Sequence, residues 1–213
     1  MAWLQRRPQV SDPTMFYSIG LNKTLLIVGL GNIGEQYDLT RHNVGFLCID
    51  EFVKINSEMG NWTNKKSFKA LESSGRLGEA RVIAIKPTTF MNGSGEAIQL
   101  VAKFYNIPIE NILVVHDELD VNFGSIKLKN GGSDAGHNGI KSISDIMSEN
   151  YARIRIGIGH KIPSKIPSEK FVLSKFNKEE LSQLNNLKKE VTAAISEFVF
   201  SSKIENETRN FLI

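Results

Sequence analysis

The 213-residue sequence predicts an α/β fold: a single domain with a twisted mixed β-sheet and helices on both faces. Three observations carry that expectation. Short apolar runs of the buried-strand kind occur at residues 24–28 and 111–115, and each runs into glycine or polar residues. Amphipathic stretches at helical spacing alternate with the strands. Two segments flanking Gly78-Glu79 read as a β-hairpin, which makes the sheet mixed rather than purely parallel.

Taken in order, residues 1–22 show no sustained period and no apolar stretch of the secretory kind. They are set apart as an N-terminal extension, leaving a domain over 23–205 and a polar tail at 206–213. The run 24–28 is the first strand, followed by a polar loop through Arg41. From Asn43, the spacing of Val44, Leu47, Cys48, Phe52 and Ile55 predicts a helix to about Ser57. Residues 61–69 read as polar connection, and 70–77 with 81–85 as the hairpin. Ser94 is the expected N-cap of a helix bearing Ile98, Val101 and Phe104. The strand at 111–115 leads into His116-Asp-Glu-Leu-Asp120. A half-exposed strand at 125–129, a glycine-rich loop, a helix at 140–147 and a strand at 152–158 follow. Residues 161–178 read as a basic, mobile connection, and 179–200 as a long amphipathic helix.

Composition narrows the function classes. Charged residues are 23% and hydrophobic residues 41%, the balance of a water-soluble globular chain. A net charge of +3 permits a polyanionic partner without requiring one. Cys48 is the sole cysteine, which excludes an intramolecular disulfide and a four-cysteine zinc site. No apolar run approaches the roughly 18–20 residues of a membrane span. The 17 glycines cluster near strand ends, where backbone turns sharply or approaches a ligand.

Three chemistries compete for those strand ends. Gly29-Leu-Gly-Asn-Ile-Gly34 spells the dinucleotide-binding fingerprint, but the predicted helix begins only after His42. Asp50 and Glu51 then fall inside that helix instead of ending a second strand. A metal site could draw on His116, Asp117, Glu118, Asp120 and His137. Strand alternation, however, points His116 and Glu118 one way and Asp117 the other, so no three ligands need converge. The third chemistry is water activation. Asn32, Tyr37 and His42 follow the first strand, Phe90-Met-Asn92 precedes a helix, Asp117 follows a central strand, and His137-Asn138 lies in the glycine loop. Histidine accepts a proton near neutrality, a carboxylate on its other nitrogen fixes the tautomer, and carboxamides donate to a carbonyl oxygen. No serine occupies a nucleophile elbow and Cys48 lies on an apolar helix face, so direct attack by water is expected.

Five motifs in order now bear on the choice. They are Val28-Gly-Leu-Gly-Asn-Ile-Gly-Glu-Gln-Tyr-Asp-Leu-Thr-Arg-His-Asn-Val-Gly-Phe46, Lys86-Pro-Thr-Thr-Phe-Met-Asn-Gly-Ser-Gly95, His116-Asp-Glu-Leu-Asp120, Gly136-His-Asn-Gly-Ile-Lys141 and Arg153-Ile-Arg-Ile-Gly-Ile-Gly159. Together they closely resemble the bacterial-type peptidyl-tRNA hydrolases.

The resemblance implies a monomeric cytoplasmic enzyme that cleaves the ester joining peptide to tRNA, recycling tRNA from stalled translation. It implies no metal, no organic cofactor, no membrane and no obligate protein partner. By the same resemblance His42 is the general base, Asp117 its partner, and Asn32 the residue that separates blocked from free aminoacyl groups. Asn92 and Asn138 match substrate-positioning amides, and Tyr37 and Phe90 match contacts to the tRNA end. Lys127, Lys129, Arg153 and Arg155 are candidate phosphate contacts, the lysines on one face and the arginines on another. His137 is expected to be structural or supporting. The chain departs from the family pattern at Ile33, where proline is usual, and at Asp134, which adds negative charge to the glycine loop. A rival of another class is a non-catalytic RNA-binding protein on the same fold, resembling certain plant organelle splicing factors.

Overall fold

Thr24–Gly29 forms β1, with every residue after Thr24 buried, because a strand covered on both faces has no side left for polar residues. In the computed structural model, which describes residues 23–159 and 166–212, β1 lies inside an eight-stranded sheet. The other strands are β2 (Thr63–Lys65), β3 (Ala70–Leu77), β4 (Ala80–Pro87), β5 (Ile112–Glu118), β6 (Ser125–Asn130), β7 (Ala152–Gly157) and β8 (Glu207–Asn210). Their order is β2-β3-β4-β1-β5-β7-β6-β8. β4, β1, β5 and β7 run parallel, while β2, β3, β6 and β8 pair antiparallel, so the sheet is mixed as expected.

Helices cover both faces. α1 (Val44–Ile55) and α5 (Lys178–Ser201) pack on one side with Ile27, Leu113, Val115 and Ile154. α2 (Ser94–Phe104) and α3 (Asn138–Ile146) pack on the other with Leu26, Val28 and Val114. A short helix, α4 (Ser168–Val172), stands at the mouth of the sheet. β1 has β4 on one flank and β5 on the other; the connection leaving β1 runs through α1 on one face, and the one joining β4 to β5 runs through α2 on the other. The crevice at the carboxyl ends of β1 and β5 is therefore a topological switch point, where open α/β sheets place ligands.

Four local expectations change. β5 continues through Glu118, so Asp117 lies within the strand, because β7 supplies a paired edge as far as Gly157. The polar connection at 61–69 contains the edge strand β2. The segment expected as a polar tail carries β8, held by pairing to β6 and by Phe211, which is buried against Phe123. Ser94 is the first helical residue and its hydroxyl donates to the Met91 carbonyl, Gly93 taking the cap position. Of the basic connection, 161–165 lies outside the described residues; so does 1–22, the extension expected there.

α1 meets the sheet at Gly45. A methyl group there would stand 2.6 Å from both the N and O of Leu30, and closer still to the Val115 carbonyl oxygen. These are backbone atoms that no rotamer change moves away. Gly45→Ala is expected to lower stability by at least the roughly 1–3 kcal/mol of core overpacking, seen as a lower midpoint in thermal melts.

Candidate active site

His42 sits in a single tight turn, Arg41–Asn43, that runs directly into α1. Asp117 is the penultimate residue of β5 and is buried. His137 is the N-cap residue of α3. The three side chains meet at one oxygen: His42 Nδ1 lies 2.9 Å from Asp117 Oδ1, and His137 Nε2 lies 2.9 Å from the same atom. Their protonation follows from partners. His137 Nδ1 accepts the backbone N–H groups of Gly139 and Ile140, so its proton resides on Nε2 and is donated to Asp117. An ionised carboxylate only accepts, so His42 carries its proton on Nδ1 and leaves Nε2 as the free base. Burial raises the proton affinity of Asp117, but the two imidazoles outweigh it and hold the carboxyl well below the usual carboxylate range.

A cleft opens beside this set, with His42, Asp117, His137 and Asn138 on one side and Ser168, Glu169 and Val172 of α4 on the other. Asn32, in the loop that follows β1, is tied to Asn43, the residue after His42. Its backbone N–H donates to Asn43 Oδ1 and its carbonyl accepts from Asn43 Nδ2, both at 2.9 Å. Its side-chain oxygen accepts the Met91 N–H at 2.9 Å, which fixes the amide orientation and presents the NH2 end as donor. The site therefore combines a free imidazole nitrogen, a buried anion behind it and an oriented amide donor, as acyl transfer to water requires.

Metal binding deserves the same test. Contrary to the strand-alternation argument, three ligand atoms do converge: those of His42, Asp117 and His137 lie within 4.8 Å of one another. His42 replaces His116 in the set, because the turn before α1 reaches across the strand end. These atoms are already engaged with one another and with two backbone N–H groups, so a cation would have to break that network. Cys48 offers no alternative nucleophile, since burial pushes its thiol up to about 12.

His116 points to the other face of β5 and is fully buried, its Nδ1–H donating to the Asp117 carbonyl at 2.7 Å. Burial, with His137 next, drives its imidazole well below the ordinary value. In the unfolded chain that ring takes a proton below about pH 6.5, whereas in the fold it stays neutral. The stability it supports is complete above that pH and declines below it, by up to about 1.4 kcal/mol per pH unit. His116→Asn, which keeps a donor near Nδ1, is expected to flatten this decline in urea midpoints measured from neutral to mildly acidic pH.

Comparison with known proteins decides the family. The model of the family described as peptidyl-tRNA hydrolase matches residues 26–212. The chain belongs to the peptidyl-tRNA hydrolase family. It is similar to the peptidyl-tRNA hydrolase of Aliarcobacter butzleri, 48% identical over 170 residues, which is 80% of this chain and 89% of that one. It is also similar to that of Ehrlichia ruminantium, 49% identical over 76% of this chain and 78% of the relative. A crystal structure of peptidyl-tRNA hydrolase from Acinetobacter baumannii superposes with a TM-score of 0.79 at 36% identity, covering 85% of this chain and 91% of that chain.

The other residues that the peptidyl-tRNA hydrolase resemblance singles out are placed unequally. Tyr37 and Phe90 stand together, ring centroids 6.4 Å apart and edge-on, with Phe90 60% exposed. Asn92 is exposed in the turn before α2, and Asn138 lines the cleft as the first residue of α3. The basic residues differ from expectation. Lys127 pairs across from Arg155, and Lys129 from Arg153, so all four share one face of the sheet. Arg153 is 2% exposed, its Nη1 donating to the Ser133 carbonyl at 2.8 Å and its guanidinium over the Tyr151 ring. That bond ties it to the glycine-rich loop, which holds Ser133. Arg155 is engaged by the Glu118 carboxylate through Nε and Nη2, at 2.9 and 2.6 Å. Lys129 is exposed and Lys127 half-buried. Asp134 does not project into the cleft as a bare charge, because its carboxylate accepts the Gly136 N–H at 2.7 Å and shapes the loop that delivers His137.

His137 takes the supporting place expected of it, behind Asp117, whereas sequence reasoning missed Asn43. His137 stands in a motif already singled out, but its value lies in an N-cap contact that fixes its tautomer. Asn43 directly follows His42, and only the loop closure onto Asn32 reveals its use.

Proposed function

We propose that the chain hydrolyses the ester between a peptide and the 3′-terminal ribose of tRNA, freeing the tRNA for reuse after stalled or aborted translation. The observation that carries this is the single-oxygen contact of Asp117 to His42 Nδ1, which leaves His42 Nε2 facing the cleft as a base. His42 Nε2 takes a proton from water, and the oxygen of that water bonds to the ester carbonyl carbon. Asp117 stabilises the imidazolium that forms. The NH2 of Asn32 donates to the substrate, the developing oxyanion or the acyl amide, and Asn138 and Asn92 hold the acyl chain. Collapse of the tetrahedral intermediate breaks the bond to the ribose oxygen, which leaves with the proton from His42. The products are a peptide carboxylate and tRNA with a free hydroxyl.

Phe90 and Tyr37 offer apolar faces on which the terminal base of tRNA stacks. Lys129 and Lys127 are the cations left to meet phosphates once Arg153 is buried and Arg155 is held by Glu118. The test is to incubate the purified chain with N-acetylaminoacyl-tRNA and, separately, with aminoacyl-tRNA bearing a free amine. Cleavage of the first but not the second is the expected result. Tight binding of both with neither cleaved would instead make the chain an RNA-binding module.

A further inference from the structure

Arg41, immediately before His42, makes long-range contacts that the catalytic proposal does not use. Its side chain is 7% exposed, and its Nη2 lies 2.5 Å from Glu180 Oε2 at the start of α5. Nη1 donates to Ser174 Oγ at 2.7 Å and to the Lys175 carbonyl at 2.6 Å. The guanidinium carbon stands 4.6 Å from the centroid of Phe171 and 5.4 Å from that of Phe176. Its backbone joins in, since Arg41 N–H donates to the Ser174 carbonyl at 3.0 Å and Thr40 bridges to Lys175. Phe176 N–H donates to Leu39, which is held at φ 59, a left-handed conformation that a non-glycine residue keeps only when its surroundings fix it. Glu180 is also the capping-box residue of α5 and accepts the Asn177 N–H with the same oxygen.

One side chain thus ties three pieces together: the His42 turn, the segment following α4, and the N-terminus of α5. α4 supplies Ser168, Glu169 and Val172 to the wall facing His42 and Asp117. From this geometry we infer that Arg41 is a positioning residue, which sets the α4 wall and the His42 imidazole in register across the cleft. A planar guanidinium serves three acceptors while stacked on two rings, which an ammonium cannot do. The inference rests on the hydrolase proposal for its catalytic readout and on nothing beyond the contacts for its structural one.

The experiment compares wild type, Arg41→Ala, Arg41→Lys, Ser174→Ala and Glu180→Gln. Each is measured for kcat and KM on N-acetylaminoacyl-tRNA and for amide hydrogen exchange. Arg41→Ala is expected to lower kcat about tenfold to a hundredfold, the loss that follows misplacing a reacting group by about an ångström. The larger change is expected in kcat rather than KM, because the Arg41 side chain donates to Ser174, Lys175 and Glu180 and to no residue proposed to meet tRNA. Arg41→Lys should recover part of kcat, and an Arg41→Ala/Glu180→Gln double variant should lose less than the two single losses combined. Exchange should quicken together at residues 40–43 and 168–176 while β1 and β5 stay protected. Unchanged kcat in folded Arg41→Ala overturns the inference, as does exchange that quickens throughout the sheet. If Arg41→Ala does not fold, Ser174→Ala and Glu180→Gln decide the matter, since each removes one partner only. A wild type that binds the substrate without cleaving it defeats the hydrolase proposal, and linked exchange in the two segments then decides the inference alone.

Discussion

His42→Ala is expected to reduce turnover of peptidyl-tRNA by about 10²- to 10⁴-fold, the range for losing a positioned general base. The His42 side chain is 10% exposed and lines the cleft, so truncation leaves a small void at a helix start without opening the core. The fold should survive, with the circular dichroism and melting profile of the parent, and tRNA affinity should persist because the residues proposed to stack on and neutralise tRNA are others. Unchanged kcat in the folded variant would remove His42 from the mechanism.

Asp117→Asn should produce a loss of the same order, through a different cause. The wild-type carboxylate accepts two N–H groups on one oxygen, from His42 and from His137. An amide can accept at its oxygen but must present N–H elsewhere, and it carries no charge to stabilise an imidazolium. His42 then loses the tautomer that leaves Nε2 free, an effect of about 10⁴ in the analogous serine-protease exchange. The second consequence concerns stability. Asp117 is held ionised well below the usual carboxylate range, so the stability it confers is fully present above about pH 4 and is lost only as pH falls through its lowered value. The kinetic defect of Asp117→Asn should therefore appear at neutral pH without a matching rise in acid sensitivity. Rapid-quench measurement of kcat, beside urea midpoints at several pH values, separates the two.

Much of the fold is legible because its signals are local. The apolar run of β1, the helical spacing from Val44 to Ile55 and the Gly78-Glu79 hairpin each specify their element from neighbouring residues alone. What stays hidden depends on distant partners. Asp117 belongs to β5 because β7 pairs that far, and β8 exists because β6 offers a free edge and Phe211 finds the core. The site shows the same division. His42, Asp117 and Asn32 stand in the motifs, but the place of His137 depends on a tautomer set by α3 backbone, and the burial of Arg153 on a distant loop residue, Ser133. The dinucleotide spelling at Gly29–Gly34 fails for a visible reason, since Asp50 and Glu51 sit within α1 with no intervening strand.

The pH dependence of kcat on saturating peptidyl-tRNA, measured for wild type and His42→Ala, bears most directly on the claim that His42 Nε2 activates water. The wild-type rate should climb to a plateau as one group loses its proton. The residual rate of the variant should instead rise steadily with hydroxide concentration. The same plateau in both proteins would place the base at another residue and contradict the mechanism.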